Sequence, residues 1–275
     1  MSYVNVEAEP ATELFYVDIG EGQPVVLIHG WPLSHRMWES QVNVLVDAGY
    51  RCIAYDRRGF GDSGKPEGGY DYDTFASDLN DLVLALDLYD VVLVGFSMGG
   101  GEVARYIAKY GTERIAKAAL LGAVPPFLLQ THDNPGGAPQ AVFDGMIAGV
   151  KHDRIGFLDG FFPNFYNSDA TYPGVSPDLI PYSKSIAWPA LPLATQQCIT
   201  AFGTTDFRED MAAFDVPTLI VHGDADRIVP IDISARKSAE LIAGSRLEVL
   251  AGAPHGFAAT HAAQLNALLL EFVKQ

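Results

Sequence analysis

Ser97 stands in Gly95-Phe96-Ser97-Met98-Gly99, directly after the apolar run Val91-Val92-Leu93-Val94 and directly before an amphipathic helical stretch. A serine on such a strand-to-helix turn holds its hydroxyl clear of the sheet. The turn is so tight that only small residues fit two places before and two places after it. Gly95 and Gly99 supply them, which makes Ser97 the candidate nucleophile.

An unassisted hydroxyl is a poor nucleophile, so it needs a base within hydrogen-bond reach and a third group to orient that base. His255 is the best base, because Gly252-Ala253-Pro254-His255-Gly256-Phe257 follows the last predicted strand at the same end of the sheet as Ser97. His29 and His222 end strands next to glycine and are expected to brace loops. His35, His132, His152 and His261 lie in helix or cap contexts without a partner motif. The orienting acid should follow the preceding strand, where His222-Gly223-Asp224-Ala225-Asp226-Arg227-Ile228-Val229-Pro230 offers two carboxylates. Asp224 follows the strand so closely that a turn-capping role suits it better. Asp226, further into the crevice beside Ile228 and Val229, is preferred. Acyl transfer also needs donors for the developing oxyanion. The backbone N–H of Met98, at a helix start, is one. The N–H of Trp31 in His29-Gly30-Trp31-Pro32 is the other, and Pro32, with no N–H to give, shapes the hole without filling it.

These groups must be carried by strand ends. Val4 to Glu7 and Glu13 to Ile19 read as N-terminal strands, and Pro24 to Ile28 as a short buried one. A helix is expected from near Ser34, with Trp38, Val42, Leu45 and Val46 at helical spacing and Gly49 at its end. Strand Arg51 to Tyr55, a Gly-rich loop from Asp56 to Gly64, and a helix marked by Phe75, Leu79, Leu82, Val83 and Leu86 come next. The Asp56 to Gly64 loop, with Arg57 and Arg58, reads as structural, since phosphate binding would want its glycines leading into a helix. After the nucleophile strand and its helix, Ala118 to Leu121 is a further strand. Strands Thr218 to Val221 and Arg246 to Leu250, a helix near Ile233 to Ile242, and a last helix presenting Leu265, Leu268, Leu269 and Phe272 complete the chain. Strands alternating with single helices require crossover connections, hence a mostly parallel eight-stranded sheet with helices on both faces; the N-terminal pair alone is open to antiparallel pairing. From about Pro125 to Asp215 the alternation stops and proline, glycine and aromatics accumulate. The expected organisation is a core of residues 1–124 and 216–275 carrying a helical cap inserted at 125–215, laid over the C-terminal edge of the sheet, where open α/β folds place their ligands.

With 48% hydrophobic residues in 275, the chain can build one large core. A formal net charge of -16 argues against nucleic acid and anionic membrane as partners, because both need a basic footprint. Cys52 and Cys198 are the two cysteines, and no disulfide is expected. The opening Met1-Ser2-Tyr3-Val4-Asn5-Val6-Glu7 has neither the basic start nor the apolar core of a signal peptide, so a cytoplasmic location is expected. Phe127, Phe143, Phe161, Phe165, Ile228 and Val229, with Pro32, Trp31 and Met98, are the candidates for lining an aromatic, water-excluding crevice for small esters, lactones or amides. Each could equally be core packing.

Together His29-Gly30-Trp31-Pro32, Asp56-Arg57-Arg58-Gly59-Phe60-Gly61, Gly95-Phe96-Ser97-Met98-Gly99-Gly100-Gly101-Glu102, His222-Gly223-Asp224-Ala225-Asp226 and Ala253-Pro254-His255-Gly256 resemble the cofactor-free bacterial haloperoxidases, or perhydrolases, and their aryl-esterase and γ-lactamase relatives. The order Ser, Asp, His is that of the α/β-hydrolase fold. The resemblance covers almost the whole chain. It implies a serine esterase that also passes its acyl group to hydrogen peroxide, giving a peracid that oxidises halide in solution, with no haem, metal or other cofactor. It also implies that the Trp31 carbonyl helps to place the peroxide, and that the chain forms a homo-oligomer, a trimer or dimer of trimers. A lactonase or γ-lactamase is the alternative enzyme. A small-molecule receptor with a vestigial triad is the alternative of another class.

Overall fold

In the computed structural model, residues 2–170, 172 and 175–275 are described. Among the described residues eight strands form one sheet: β1 (Ser2–Val6), β2 (Thr12–Ile19), β3 (Pro24–Ile28), β4 (Arg51–Tyr55), β5 (Val91–Phe96), β6 (Ile115–Leu121), β7 (Thr218–Gly223) and β8 (Arg246–Leu250). Their order is β1-β2-β4-β3-β5-β6-β7-β8. β2 runs antiparallel to both β1 and β4, and all other pairs are parallel. β3 and β5 read as unbroken apolar runs because helices cover both faces and leave no wet side on which polar residues could alternate. Both are buried almost throughout.

The chain leaves β3 toward β4 on one side and returns to β5 on the other. The loops after β3 and β5 therefore diverge, opening a crevice at the strand ends. Register brings the other ends to the same edge: Ile28 pairs with Gly95, Phe96 with Leu121, Leu121 with Val221, and Gly223 with Leu250.

Around the sheet, α1 (Glu39–Asp47) packs on α10 (Ala262–Lys274), which the short α9 (Phe257–Thr260) precedes, while α2 (Tyr72–Ala85) packs on α3 (Met98–Tyr110). Where the sequence suggests one helix from near Ser34, a 3-10 turn at His35–Trp38 precedes α1. The helix expected at Ile233 to Ile242 is likewise split, into a 3-10 turn at Ile231–Ile233 and α8 (Ala235–Leu241).

Between β6 and β7 lie α4 (Gln140–Phe165), α5 (Leu179–Ala187), α6 (Pro192–Thr204) and α7 (Arg208–Met211). α4 bends at Asp153, whose φ of -151° and ψ of 89° are not helical. The Asp153 carboxylate accepts the Gly156 N–H at 2.9 Å, capping the second half of the helix. This helical segment is pinned to the sheet edge by polar bonds. The Trp31 indole N–H donates to the Thr195 carbonyl at 3.0 Å, the Leu191 N–H to that of Gly59 at 2.8 Å, and the Gly256 N–H to that of Phe165 at 2.9 Å. Among the described residues no helix is long and apolar enough to cross a membrane.

Candidate active site

Ser97 sits between β5 and α3 with φ 54° and ψ -117°, a sparsely populated backbone conformation whose cost is of order 1–3 kcal/mol. The surroundings enforce it. A Cβ on Gly95 would lie 2.4 Å from the Gly99 carbonyl oxygen, and one on Gly99 would lie 2.4 Å from that of Ile28. The Ser97 N–H donates to the Leu121 carbonyl at 2.8 Å, and the Ser97 carbonyl accepts from Val124 at 3.2 Å. The end of β6 thus locks the turn.

Ser97 Oγ lies 2.9 Å from Nε2 of His255, and Nδ1 of that ring lies 2.6 Å from Asp226 Oδ2. The rings of Phe165 and Phe96 flank the imidazole, with centroids 4.9 and 5.0 Å away. Asp226 Oδ1 accepts the N–H groups of Ile228 and Val229, both at 2.8 Å. His222 Nε2 stands 3.2 Å from Asp226 Oδ2 and 2.8 Å from the Val229 carbonyl oxygen, which can only accept, so this nitrogen carries the proton. Burial alone would push the Asp226 carboxyl up, but the His255 charge and the hydrogen bonds from His222 and His255 hold it well below the usual carboxylate range. An ionised, fully bonded Asp226 fixes the His255 tautomer with Nδ1–H toward the acid and Nε2 free to take a proton from Ser97.

Asp224, by contrast, accepts the Gly252 N–H at 2.6 Å and ties the two loops together. His29 accepts from the Arg57 N–H, and His222 bonds the loop after β7, so both brace loops. Arg57 and Arg58 are buried in ion pairs with Glu102 and Asp78. The sequence gives His35 no partner, yet its Nδ1 meets Asp56 Oδ1 at 2.8 Å. The pairing joins a helical turn to a loop 21 residues away, and no local spacing signals it.

A cavity of about 500 Å³ opens on Ser97 and His255. Of the lining candidates, Trp31, Phe143, Phe161, Ile228 and Val229 face it. Pro32 is buried in the loop outside its wall. Phe127 packs under the Arg208 guanidinium, 5.1 Å from its ring centroid. Phe165 supports the imidazole and lines a second cavity of about 350 Å³ instead, and the Met98 side chain is wholly buried. The wall also includes Val124, Leu128, Met146 and Phe202, which the sequence does not single out. Phe202 belongs to α6, where apolar residues occur on several sides and leave no periodic stripe from which an inward face could be chosen. Its partner is Trp31, whose ring meets those of Phe161 and Phe202 edge-on at 5.2 and 5.8 Å.

Strand order, elbow and hydrogen-bonded chain define a class. Residues 23–262 match the family model described as alpha/beta hydrolase fold, and the chain belongs to that family. It is 46% identical over 269 residues to a non-heme chloroperoxidase of Kitasatospora aureofaciens, covering 96% of each chain. It is 38% identical over 277 residues to a bifunctional esterase/perhydrolase of Acinetobacter calcoaceticus, covering all of both. Among solved structures it is similar to a bromoperoxidase from Bacillus anthracis, with a TM-score of 0.95, 50% identity and full coverage of both chains.

Proposed function

We propose that the protein is a serine esterase acting on small carboxylic esters through an acyl-enzyme, and a perhydrolase when hydrogen peroxide replaces water. The observation that carries this is the unbroken chain Asp226, His255, Ser97 opening onto an apolar cavity. His255 Nε2 takes the Ser97 proton as Oγ attacks the ester carbon. The N–H groups of Trp31 and Met98 receive the developing oxyanion. Gly30 lies against the elbow, since a Cβ there would be 3.0 Å from Ser97 Cβ, and Met98 opens α3, so its N–H has no carbonyl within the helix to bond. Collapse expels the alcohol, protonated by His255. Water or hydrogen peroxide then gives its proton to His255 and attacks the acyl carbon, releasing acid or peracid and returning the proton to Ser97. Both half-reactions balance without electron transfer at the protein.

In this reading the helical segment at 125–215 acts as the cap that excludes water, and the enzyme is a cytoplasmic homo-oligomer without nucleic-acid or membrane partners. The names of the relatives, chloroperoxidase and esterase/perhydrolase, support the ester and peroxide chemistry. The test is hydrolysis of p-nitrophenyl acetate, then peracid formation from acetate and peroxide, by wild type and Ser97→Ala. Both activities should fall together by about 10⁶ in the variant. Equal rates would refute the mechanism.

A further inference from the structure

Beneath the oxyanion loop lies a buried polar chain that the reaction as written does not use. Arg57 Nε donates to Glu102 Oε2 at 2.7 Å, and Tyr55 Oη donates to Glu102 Oε1. Arg57 Nη2 donates to the His29 carbonyl at 2.9 Å, and the Arg57 backbone N–H donates to His29 Nε2 at 2.9 Å. Since Nε2 accepts, the imidazole proton sits on Nδ1, which lies 3.0 Å from the Gly30 carbonyl oxygen and donates to it. His29, Tyr55, Arg57 and Glu102 are all fully buried.

This chain has a geometric consequence. The Gly30–Trp31 peptide is trans and planar, so its C=O and its N–H point in opposite directions. The Gly30 carbonyl also accepts the Leu33 N–H at 2.9 Å, so the His29 ring is one of two donors that fix it and, with it, the direction of the Trp31 N–H. Glu102 lies in the second turn of α3, the helix that starts at Met98. One end of the chain is thus attached to the segment carrying Ser97 and the Met98 N–H, and the other to the peptide carrying the Trp31 N–H. Two oxyanion donors from separate loops benefit from such a tie, because productive geometry has to be held within about 0.5 Å. A buried ion pair is weak evidence of stabilisation, its desolvation offsetting its attraction, and setting register is the better-attested use.

We propose that Arg57, tethered to α3 by Glu102, is a positioning residue for the Gly30–Trp31 peptide, aiming the Trp31 N–H at the oxygen of the acyl group on Ser97. The proposal rests on the esterase reading above. The neighbouring pair Arg58 and Asp78 is an internal control. It is equally buried, but Arg58 also donates to the carbonyls of Pro10 and Ala8, in the turn between β1 and β2, and not to the His29–Trp31 segment.

The experiment compares Arg57→Lys and Glu102→Gln with Arg58→Lys and Asp78→Asn. It measures kcat and KM for p-nitrophenyl acetate per folded molecule, together with inhibition by an aryl trifluoromethyl ketone, whose hemiketal oxyanion occupies the hole. For the Arg57 and Glu102 variants kcat should fall about 10- to 100-fold with KM within about twofold, and the ketone should weaken by the same factor as kcat. The control variants should lose thermal stability and keep kcat. A raised KM at unchanged kcat, an unchanged ketone affinity, or the same kcat loss in the control pair overturns the proposal. Should Arg57→Lys and Glu102→Gln fail to fold, Tyr55→Phe keeps both charges and removes one bond to Glu102. It should lower kcat about threefold at constant KM, and unchanged kcat contradicts the proposal. If wild type hydrolyses no ester, the esterase reading itself fails. If wild type is active and Ser97→Ala is not, a negative result falls on Arg57 and Glu102 alone.

Discussion

The two sides of the cavity are held by different forces. On the sheet side Ser97, His255, Asp226 and His222 are fixed by short directional bonds, with four donors converging on the Asp226 carboxylate. On the helical side the wall residues Phe143, Phe161, Phe202 and Met146 are all apolar, and the rings of Phe161 and Phe202 meet Trp31 edge-on. Hydrogen bonds weaken steeply once the donor angle falls below about 120°, whereas packing tolerates replacement of similar volume. Reaction geometry should therefore reside in the sheet side and substrate shape in the helical side.

The largest break in that contrast is Asp226→Asn. The amide can donate to His255 Nδ1, which places the proton on Nε2, facing Ser97, and kcat should fall by about 10⁴ with the fold kept. Steady-state hydrolysis alongside circular dichroism checks this, and retention of even a tenth of the rate contradicts the orienting role. Phe202→Ala acts in the opposite sense. It should cost about 3 kcal/mol in urea unfolding, the low end for a buried phenylalanine because one side already borders the cavity. Its kcat for acetyl esters should stay within about tenfold of wild type while bulkier acyl groups gain relative to acetyl. An unchanged acyl preference would remove the shape role from α6.

Burial first, and then the Arg57 charge, push the His29 imidazole from 6.5 down to about 3, so it is neutral in the folded protein at working pH. Below about pH 6.5 the unfolded chain binds a proton there that the folded chain refuses. The stability from this group is complete above pH 6.5 and is lost as pH falls toward 3, at about 1.4 kcal/mol per pH unit. Urea unfolding of wild type and His29→Gln between pH 7 and pH 4 should give curves that converge by about that slope on acidification. Parallel curves would show that His29 is not the group titrating.

Much of the sheet side is legible because Ser97, His222 and His255 stand at strand ends within two residues of a glycine or proline that a tight turn requires, whereas Asp226, three residues from Gly223, is reached only through the order of the loops. Ser97 between Gly95 and Gly99, and His255 after Pro254, are readable from their immediate neighbours. Strand existence follows in the same way from unbroken apolar runs such as Val91 to Val94. The cavity wall is less legible, since no local rule separates Phe202, which faces it, from Phe127, which packs under Arg208. That choice depends on the bend at Asp153 and on the docking of α6 against Trp31, both long-range outcomes. The buried chain from Glu102 to His29 is hidden for the same reason. Its members are charged or polar residues of separate segments, and only the folded sheet edge makes them neighbours.

In the proposed reaction the Ser97 oxygen carries the acyl group. Wild type incubated with p-nitrophenyl acetate, quenched in acid and mapped by peptide mass spectrometry should show one acetyl group, on the peptide containing Ser97, and none in Ser97→Ala. Acetyl on another residue, or undiminished turnover by Ser97→Ala, would contradict it.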